Sequence, residues 1–342
     1  RAEGLEDLAG RARANESFAV AFGGDFGRAL DQMAATAPEA RAARWRRADG
    51  AIEWCAVGWV RFWSGDAQAA TDAFQHAADS GGGLVSFAEI ARCWLTNAAV
   101  DTGDLRRVEQ ARAQLDLVPD ATIQGLPWPV YKAIARAGSA LLAGKPASAV
   151  HLLDEVLTGD PRVPAANLLA AELYWLGNAR DKALRLTALL LGPLPGYLRA
   201  GALVIEALAA HGRGDRDQAH RLLEEALGLC APDRILRPFL LRDPDLGTLL
   251  AEHPAWGTGH QELVASCLTR RTDGGAGRAV ELLTAREREI LSHLSTTMNT
   301  AEIAAALHIS PNTLKTHLKA VYRKLGVSGR RDAVAWSRRD HS

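Results

Sequence analysis

Apolar and polar positions alternate with a helical period along most of this chain. Alanine-rich amphipathic segments such as "AGSALLAG" and "ASAVHLLDEVL" flank short breaks. Each break carries a turn residue, and a small or apolar residue follows five positions later. The pairs are Gly24 and Ala29, Gly65 and Ala70, Gly103 and Val108, Gly144 and Ala149, Asn178 and Ala183, Gly214 and Ala219. The turns are separated by 41, 38, 41, 34 and 36 residues. Glycine permits the left-handed turn that joins two antiparallel helices, and alanine lets those helices approach closely. The pattern predicts helical hairpins that stack on one another. No strand-period run interrupts them.

Such stacking, with a period near 34, is of the tetratricopeptide kind, looser than the strict motif. An acidic residue follows the turn in "GGD", "SGD", "TGD" and "RGD". The last triplet, at 213–215, also matches a cell-adhesion signal, but it falls on a repeat turn and no export signal is visible. Trp45, Trp54, Trp59, Trp63, Trp94 and Trp128 cluster early. They are expected in the hairpin core; the alternative is an aromatic groove for a small effector, rimmed by "GLPWPVYKA" at 125–133. His211 and His220 are expected at the surface. The segment 235–253 breaks the repeat, with Pro238 and Pro244 as punctuation and Asp243 or Asp245 as the cap of a last helix. "RRTDGGAGRAV" at 270–280 reads as a flexible linker.

The last sixty residues have a different texture. Thr284 with Glu287, and Asn299 with Glu302, are capping-box pairs ahead of short apolar runs. After "HIS" comes "SPNTLKTHLKAVYRKLG", residues 310–326. Ser310 suits the N-cap, Pro311 the first helical position, and Gly326 the end. Leu314, Leu318, Val321 and Leu325 share one face, while Asn312, Lys315, Thr316, Lys319 and Arg323 turn away from it. Alone, that polar face reads equally as a solvated surface. Three short helices with a tight turn before the basic one predict a helix-turn-helix, whose second helix enters the major groove. "RRDAVAW" at 330–336 reads as a fourth helix.

Residues 283–334 resemble the LuxR-type DNA-binding domain. The matches are Leu283-Thr284, Arg286-Glu287, Glu302-Ile303-Ala304, Leu307, Ile309-Ser310, Thr313, Lys315, His317-Leu318, Tyr322, Lys324-Leu325-Gly326-Val327 and Arg330. The family places Gly, a small polar pair and Lys before Glu-Ile-Ala. Thr297-Met298-Asn299-Thr300-Ala301 stands here instead, which implies one phosphate contact fewer. The resemblance, with the facing angle, assigns base edges to Lys315, Thr316 and Lys319. It assigns phosphates to Ser310, Asn312, Thr313 and Arg323. His317 is open between burial against the first helix and a phosphate hydrogen bond. Repeats, closing segment, linker and terminal domain together resemble the MalT-like large ATP-binding regulators of the LuxR family. An ATP-binding module usually precedes the repeats there. This chain lacks one and starts at Arg1, so the expectation is a fragment whose ATP control lies in residues ahead of it. The resemblance implies double-stranded DNA as partner, a dimer on DNA, and contact with RNA polymerase. It also implies a small-molecule or protein effector on the repeats.

The 342 residues carry no net charge, yet residues 283–342 hold ten Lys/Arg against five Asp/Glu, and the remainder 30 against 35. A basic tail on a slightly acidic body suits nucleic acid as partner of the tail alone. Cys55, Cys93, Cys230 and Cys267 are widely spaced and read as buried free thiols of a cytoplasmic protein. No phosphate-binding loop occurs; "GSALLAGKPAS" at 138–148 has the wrong spacing and Pro where Ser/Thr is needed. No nucleophile elbow, zinc motif or other catalytic pattern occurs, so a non-enzyme is expected, with no cofactor, metal or membrane segment in this chain. The expected fold is all-α: a tetratricopeptide-like helical-hairpin repeat solenoid over 1–255, a linker region over 256–281, and a small helix-turn-helix domain over 282–342. The competing reading is a repeat scaffold whose terminal domain binds protein rather than DNA.

Overall fold

The computed structural model of the chain describes residues 2–40, 50–80, 85–121, 127–157, 163–282, 285–294, 298–307, 309–325, 329–330 and 333–334. Among the described residues every regular element is helical. The chain divides between Leu268 and Thr269 into two compact units.

The first unit is built from α1 (Ala2–Gly23), α2 (Phe26–Ala40), α3 (Ala51–Trp63), α4 (Ala67–Asp79), α5 (Val85–Thr102) and α6 (Leu105–Leu115). It continues with α7 (Trp128–Leu142), α8 (Pro146–Asp154), α9 (Pro164–Leu176), α10 (Arg180–Thr187), α11 (Gly196–Gly212), α12 (Arg216–Cys230) and α13 (Pro244–Trp256). The helices pair as hairpins from α1–α2 to α11–α12. All six turn residues read from the sequence lie at positive φ: Gly24, Gly65, Gly103, Gly144, Asn178 and Gly214. Their partners five positions on, Ala29, Ala70, Val108, Ala149, Ala183 and Ala219, are all buried.

The turns are Schellman closures. At Gly65, the Gly65 amide donates to the Phe62 carbonyl and the Asp66 amide to that of Arg61, at 3.1 and 2.9 Å. The same pair of bonds closes the turns at Gly24, Gly144, Asn178 and Gly214. At Gly103 a hydroxyl intervenes: the Asp104 amide donates to Thr102 Oγ1, which donates to the Ala99 carbonyl. The acidic residue after the turn is the N-cap of the next helix. Asp25, Asp66, Asp104 and Asp215 accept from the amides of Arg28, Ala69, Arg106 and Gln218 at 2.9–3.1 Å. One Gly-Asp pair thus ends one helix and begins the next, and at 213–215 that is the role of the "RGD" triplet.

Residues 233–245 run back across the repeats. Asp233 accepts from the Phe26 and Gly27 amides at the start of α2. The Leu236 amide donates to the Trp63 carbonyl at the end of α3. Arg237 pairs with Asp101 on α5 at 3.0 Å and Glu172 on α9 at 2.8 Å, and lies over the rings of Phe62 and Trp63. Trp175 Nε1 donates to Asp243. Tyr197 on α11 donates its hydroxyl to the Phe22 carbonyl of α1, so the first hairpin meets the sixth. This one segment thus touches the C-terminal parts of α3, α5 and α9 together. Trp59, Trp63, Trp94 and Trp128 are buried, as the core reading expects. Trp54 departs from it: 40% exposed, its ring lies tilted against that of His76. Trp45 lies outside the described residues.

Two further expectations are corrected. His220 is buried rather than superficial, because α13 folds over its face of α12. The 270–280 stretch is helical, part of α14 (Gln261–Leu282), which runs from the first unit into the second; its glycines lower helix propensity without ending the helix. Asp243, not Asp245, caps α13, accepting from the Asp245 and Leu246 amides. The four cysteines are buried and form no disulfide. No helix among the described residues is long and apolar enough to cross a membrane.

The second unit contains α15 (Ala285–Leu294), α16 (Thr300–Ala306) and α17 (Pro311–Leu325), followed by helical residues at 330 and 333–334. Ile290, Leu291, Leu294, Ile303, Ala304, Leu307, Leu314, Val321 and Ala333 form its core.

Candidate nucleic-acid interface

The pair α16–α17 is the helix-turn-helix, and its sequence sets both starts. Asn299 Oδ1 accepts from the Glu302 amide at 3.0 Å while Glu302 accepts from the Asn299 amide at 2.7 Å, a reciprocal capping box at the start of α16. Ser310 Oγ accepts from the Thr313 amide at 3.1 Å and lies 2.8 Å from the Thr313 hydroxyl, capping α17. The partner capping box of α15 falls on Thr284, outside the described residues.

Two arginines fix the helices to one another. Arg286 on α15 donates to the Leu307 carbonyl at the end of α16 and to Glu289. Arg330 donates from Nε and Nη2 to the Leu294 carbonyl, at 3.2 and 3.1 Å, and from Nη1 to that of Met298, at 2.5 Å. Each puts a cation on the carbonyl end of a helix, where orphan acceptors and the dipole favour it. Sequence reading found both residues by resemblance but not this role. An arginine that caps a helix thirty-six positions away leaves no local pattern.

On α17 the apolar face points inward. Leu314 and Val321 are buried and Leu318 half-buried against the core. The other face is open: Ser310, Asn312, Thr313, Lys315, Thr316 and Lys319 are exposed. Thr316 Oγ1 is turned toward the Asn312 carbonyl at 3.2 Å. His317 is half-buried between the two faces. The side chain of Arg323 lies outside the described residues, as do Gly326 and Trp336. The structure therefore brings Lys315, Thr316 and Lys319 onto one exposed surface, with Ser310, Asn312 and Thr313 at its N-terminal edge. Ser310 and Thr313 already bond to each other, so their remaining lone pairs and protons are what they can offer a ligand. Among the described residues this surface presents two ammonium groups, hydroxyls and an amide. No group of metal-ligating side chains is found among the described residues.

The family "Bacterial regulatory proteins, luxR family" matches residues 281–337, and "Tetratricopeptide repeat" matches residues 140–204. Over 60 residues the chain is 45% identical to "Probable transcriptional regulatory protein NarL" of Mycobacterium tuberculosis, covering 18% of this chain and 28% of that protein. Over 56 residues it is 55% identical to "Probable transcriptional regulatory protein SgaR" of Hyphomicrobium methylovorum, covering 16% and 26%. A longer match reaches "HTH-type transcriptional regulator MalT" of Vibrio parahaemolyticus, 24% identical over 157 residues, 39% of this chain and 17% of that protein. The chain thus spans less than a third of the length of these relatives.

Proposed function

We propose that this chain, a LuxR-type helix-turn-helix domain behind tetratricopeptide-like repeats, is a bacterial transcriptional regulator that binds double-stranded DNA. The observation that carries the reading is the exposed row of Lys315, Thr316 and Lys319 on α17, backed by a packed apolar face. In this reading α17 enters the major groove. Lys315, Thr316 and Lys319 reach base edges, while Ser310, Asn312, Thr313 and Arg323 meet phosphates, with His317 at the margin. The family name of the matched domain and the names of the three relatives support it.

The repeats are the input side, taking up an effector or partner. Two copies on neighbouring half-sites add their binding through effective concentration. A DNA partner and four buried cysteines outside any disulfide favour a cytoplasmic setting.

Fluorescence anisotropy on duplex DNA over a range of salt tests the proposal. Lys315→Ala is expected to cost ~1–3 kcal/mol and relax preference at one base pair. Arg323→Ala is expected to weaken all duplexes alike and reduce the salt slope by about one unit. Lys145→Ala, on an exposed repeat turn, changes neither. If the α17 variants bind as the parent chain does, the groove assignment fails and the scaffold reading takes its place.

A further inference from the structure

Three histidines and a glutamate meet where the first unit hands the chain to α14. His220 and Glu224 stand one turn apart on α12, and His253 and Trp256 face them from α13. The His220 and His253 rings are nearly parallel, and their Nδ1 atoms are 2.8 Å apart. Both side chains are buried, 4% and 1% exposed. On its far side His253 Nε2 lies 2.7 Å from Glu224 Oε2. Glu224 also accepts from the Thr258 hydroxyl at 2.7 Å and the Gly259 amide at 3.0 Å, with His260 Nε2 at 3.8 Å. The Thr258 hydroxyl in turn accepts from the His260 amide, and the His260 carbonyl accepts from the Val264 amide in the first turn of α14. Trp256 stacks on His220 at 4.2 Å.

The hydrogen-bond pattern fixes the protons. Burial works against the Glu224 carboxylate, but Thr258, Gly259 and His253 outweigh it and hold its pKa below the usual value. An ionised Glu224 accepts a hydrogen bond from His253 Nε2–H. His253 Nδ1 is then a lone pair, and His220 Nδ1–H donates to it. His220 Nε2 is left buried with no partner. One added proton can enter there, although no acceptor awaits it. A second cannot, because two Nδ1–H groups cannot face each other at 2.8 Å.

We propose that His220, His253 and Glu224 form an acid-sensitive latch that pins the Gly257–His260 turn, and with it the first turn of α14, to the repeats. At neutral pH the chain of hydrogen bonds is closed. Two cationic rings would set Nδ1–H against Nδ1–H at this contact, so acid opens it and loosens α13, with the turn that follows it, from α12. All but one of the influences on His220 favour its neutral form. Burial lowers its pKa first, then His253, with His211 and Arg216 adding and Glu252 opposing. Its neutral form is therefore the one the fold favours. That contribution is present above the ordinary histidine value of about 6.5, and is lost as pH falls from there toward the lower folded value.

The inference does not depend on DNA binding and is tested without DNA. Hydrogen exchange of the full chain, corrected for intrinsic rates, is followed from about pH 8 to about pH 5. Protection of residues 257–264 is expected to fall about tenfold more than that of α3 or α9, since of these segments only 257–264 adjoins the His220–His253–Glu224 chain. In His220→Asn the amide nitrogen takes the place of Nδ1–H, and the amide can flip to offer its oxygen to a protonated His253. This variant is expected to keep its protection across the range. Proton NMR of the imidazoles gives a second reading on the parent chain: His220 titrates below the ordinary value. Uniform protection at all pH values, unaltered pH sensitivity in His220→Asn, or a His220 that titrates near the ordinary value would overturn the proposal.

Discussion

At the scale of single residues, the positive-φ turns separate two costs that usually travel together. Gly214 and Gly65 have nearly equal φ, +80° and +78°. A Cβ on Gly214 meets nothing within 4 Å, whereas one on Gly65 comes 2.7 Å from Leu240 of the returning segment. Gly214→Ala is expected to lose roughly 1 kcal/mol of stability, the left-handed penalty alone. Gly65→Ala is expected to lose about 1–3 kcal/mol more, the overpacking cost, in thermal or denaturant unfolding. Equal losses would show that Leu240 moves aside freely. These turn residues were legible because a left-handed residue needs a special side chain, and glycine or asparagine announces it. The Asp that follows was visible as a pattern, and its reason, the N-cap, became clear from the bonds it accepts. His220 was not legible. A histidine on a helix face has no sequence mark of what covers that face, and here the cover, α13, comes thirty-three residues later.

At the scale of elements, the recognition helix is fixed by groups that do not face DNA in the proposed geometry. Arg330 holds the carbonyls of Leu294 and Met298, and so joins α15 to the approach to α16. Arg330→Ala is expected to cost about 1–3 kcal/mol of domain stability by leaving those acceptors unpaired. DNA affinity falls in step, but the salt slope keeps its value because no phosphate contact is removed. A slope reduced by about one unit would instead make Arg330 a phosphate ligand. The three helices of this unit were readable because caps, apolar stripe and basic face coincide within fifteen residues of α17. The helix over 270–280 was not legible because glycine and polar residues weaken local propensity, a preference too weak to decide the conformation.

At the scale of the whole first unit, Arg237 is the point where distant hairpins are tied. Its guanidinium, 11% exposed, sits between Asp101 and the buried Glu172 and over the rings of Phe62 and Trp63. Sequence reading saw only that 235–253 broke the repeat, since nothing local shows that its arginine will meet carboxylates 136 and 65 residues earlier. Burial already raises the Glu172 pKa, and Arg237 is the group that opposes it. Arg237→Met removes that counter-charge and is expected to destabilise the repeats by roughly 3–5 kcal/mol near neutral pH. The deficit should depend on pH with a definite sign. In the variant the folded Glu172 favours its protonated form, so folding takes up a proton that the unfolded carboxyl gives up above its ordinary value. The loss therefore grows as pH rises from the carboxylate range toward neutral and shrinks as pH falls. Adding Glu172→Gln removes the stranded charge and should recover part of the stability at neutral pH, leaving the lost stacking and the Asp101 pair. Melting curves of the single and double variants at two pH values decide it. A deficit that ignores pH, or a double variant no better than the single one, would mean that Arg237 contributes by packing rather than by neutralising Glu172.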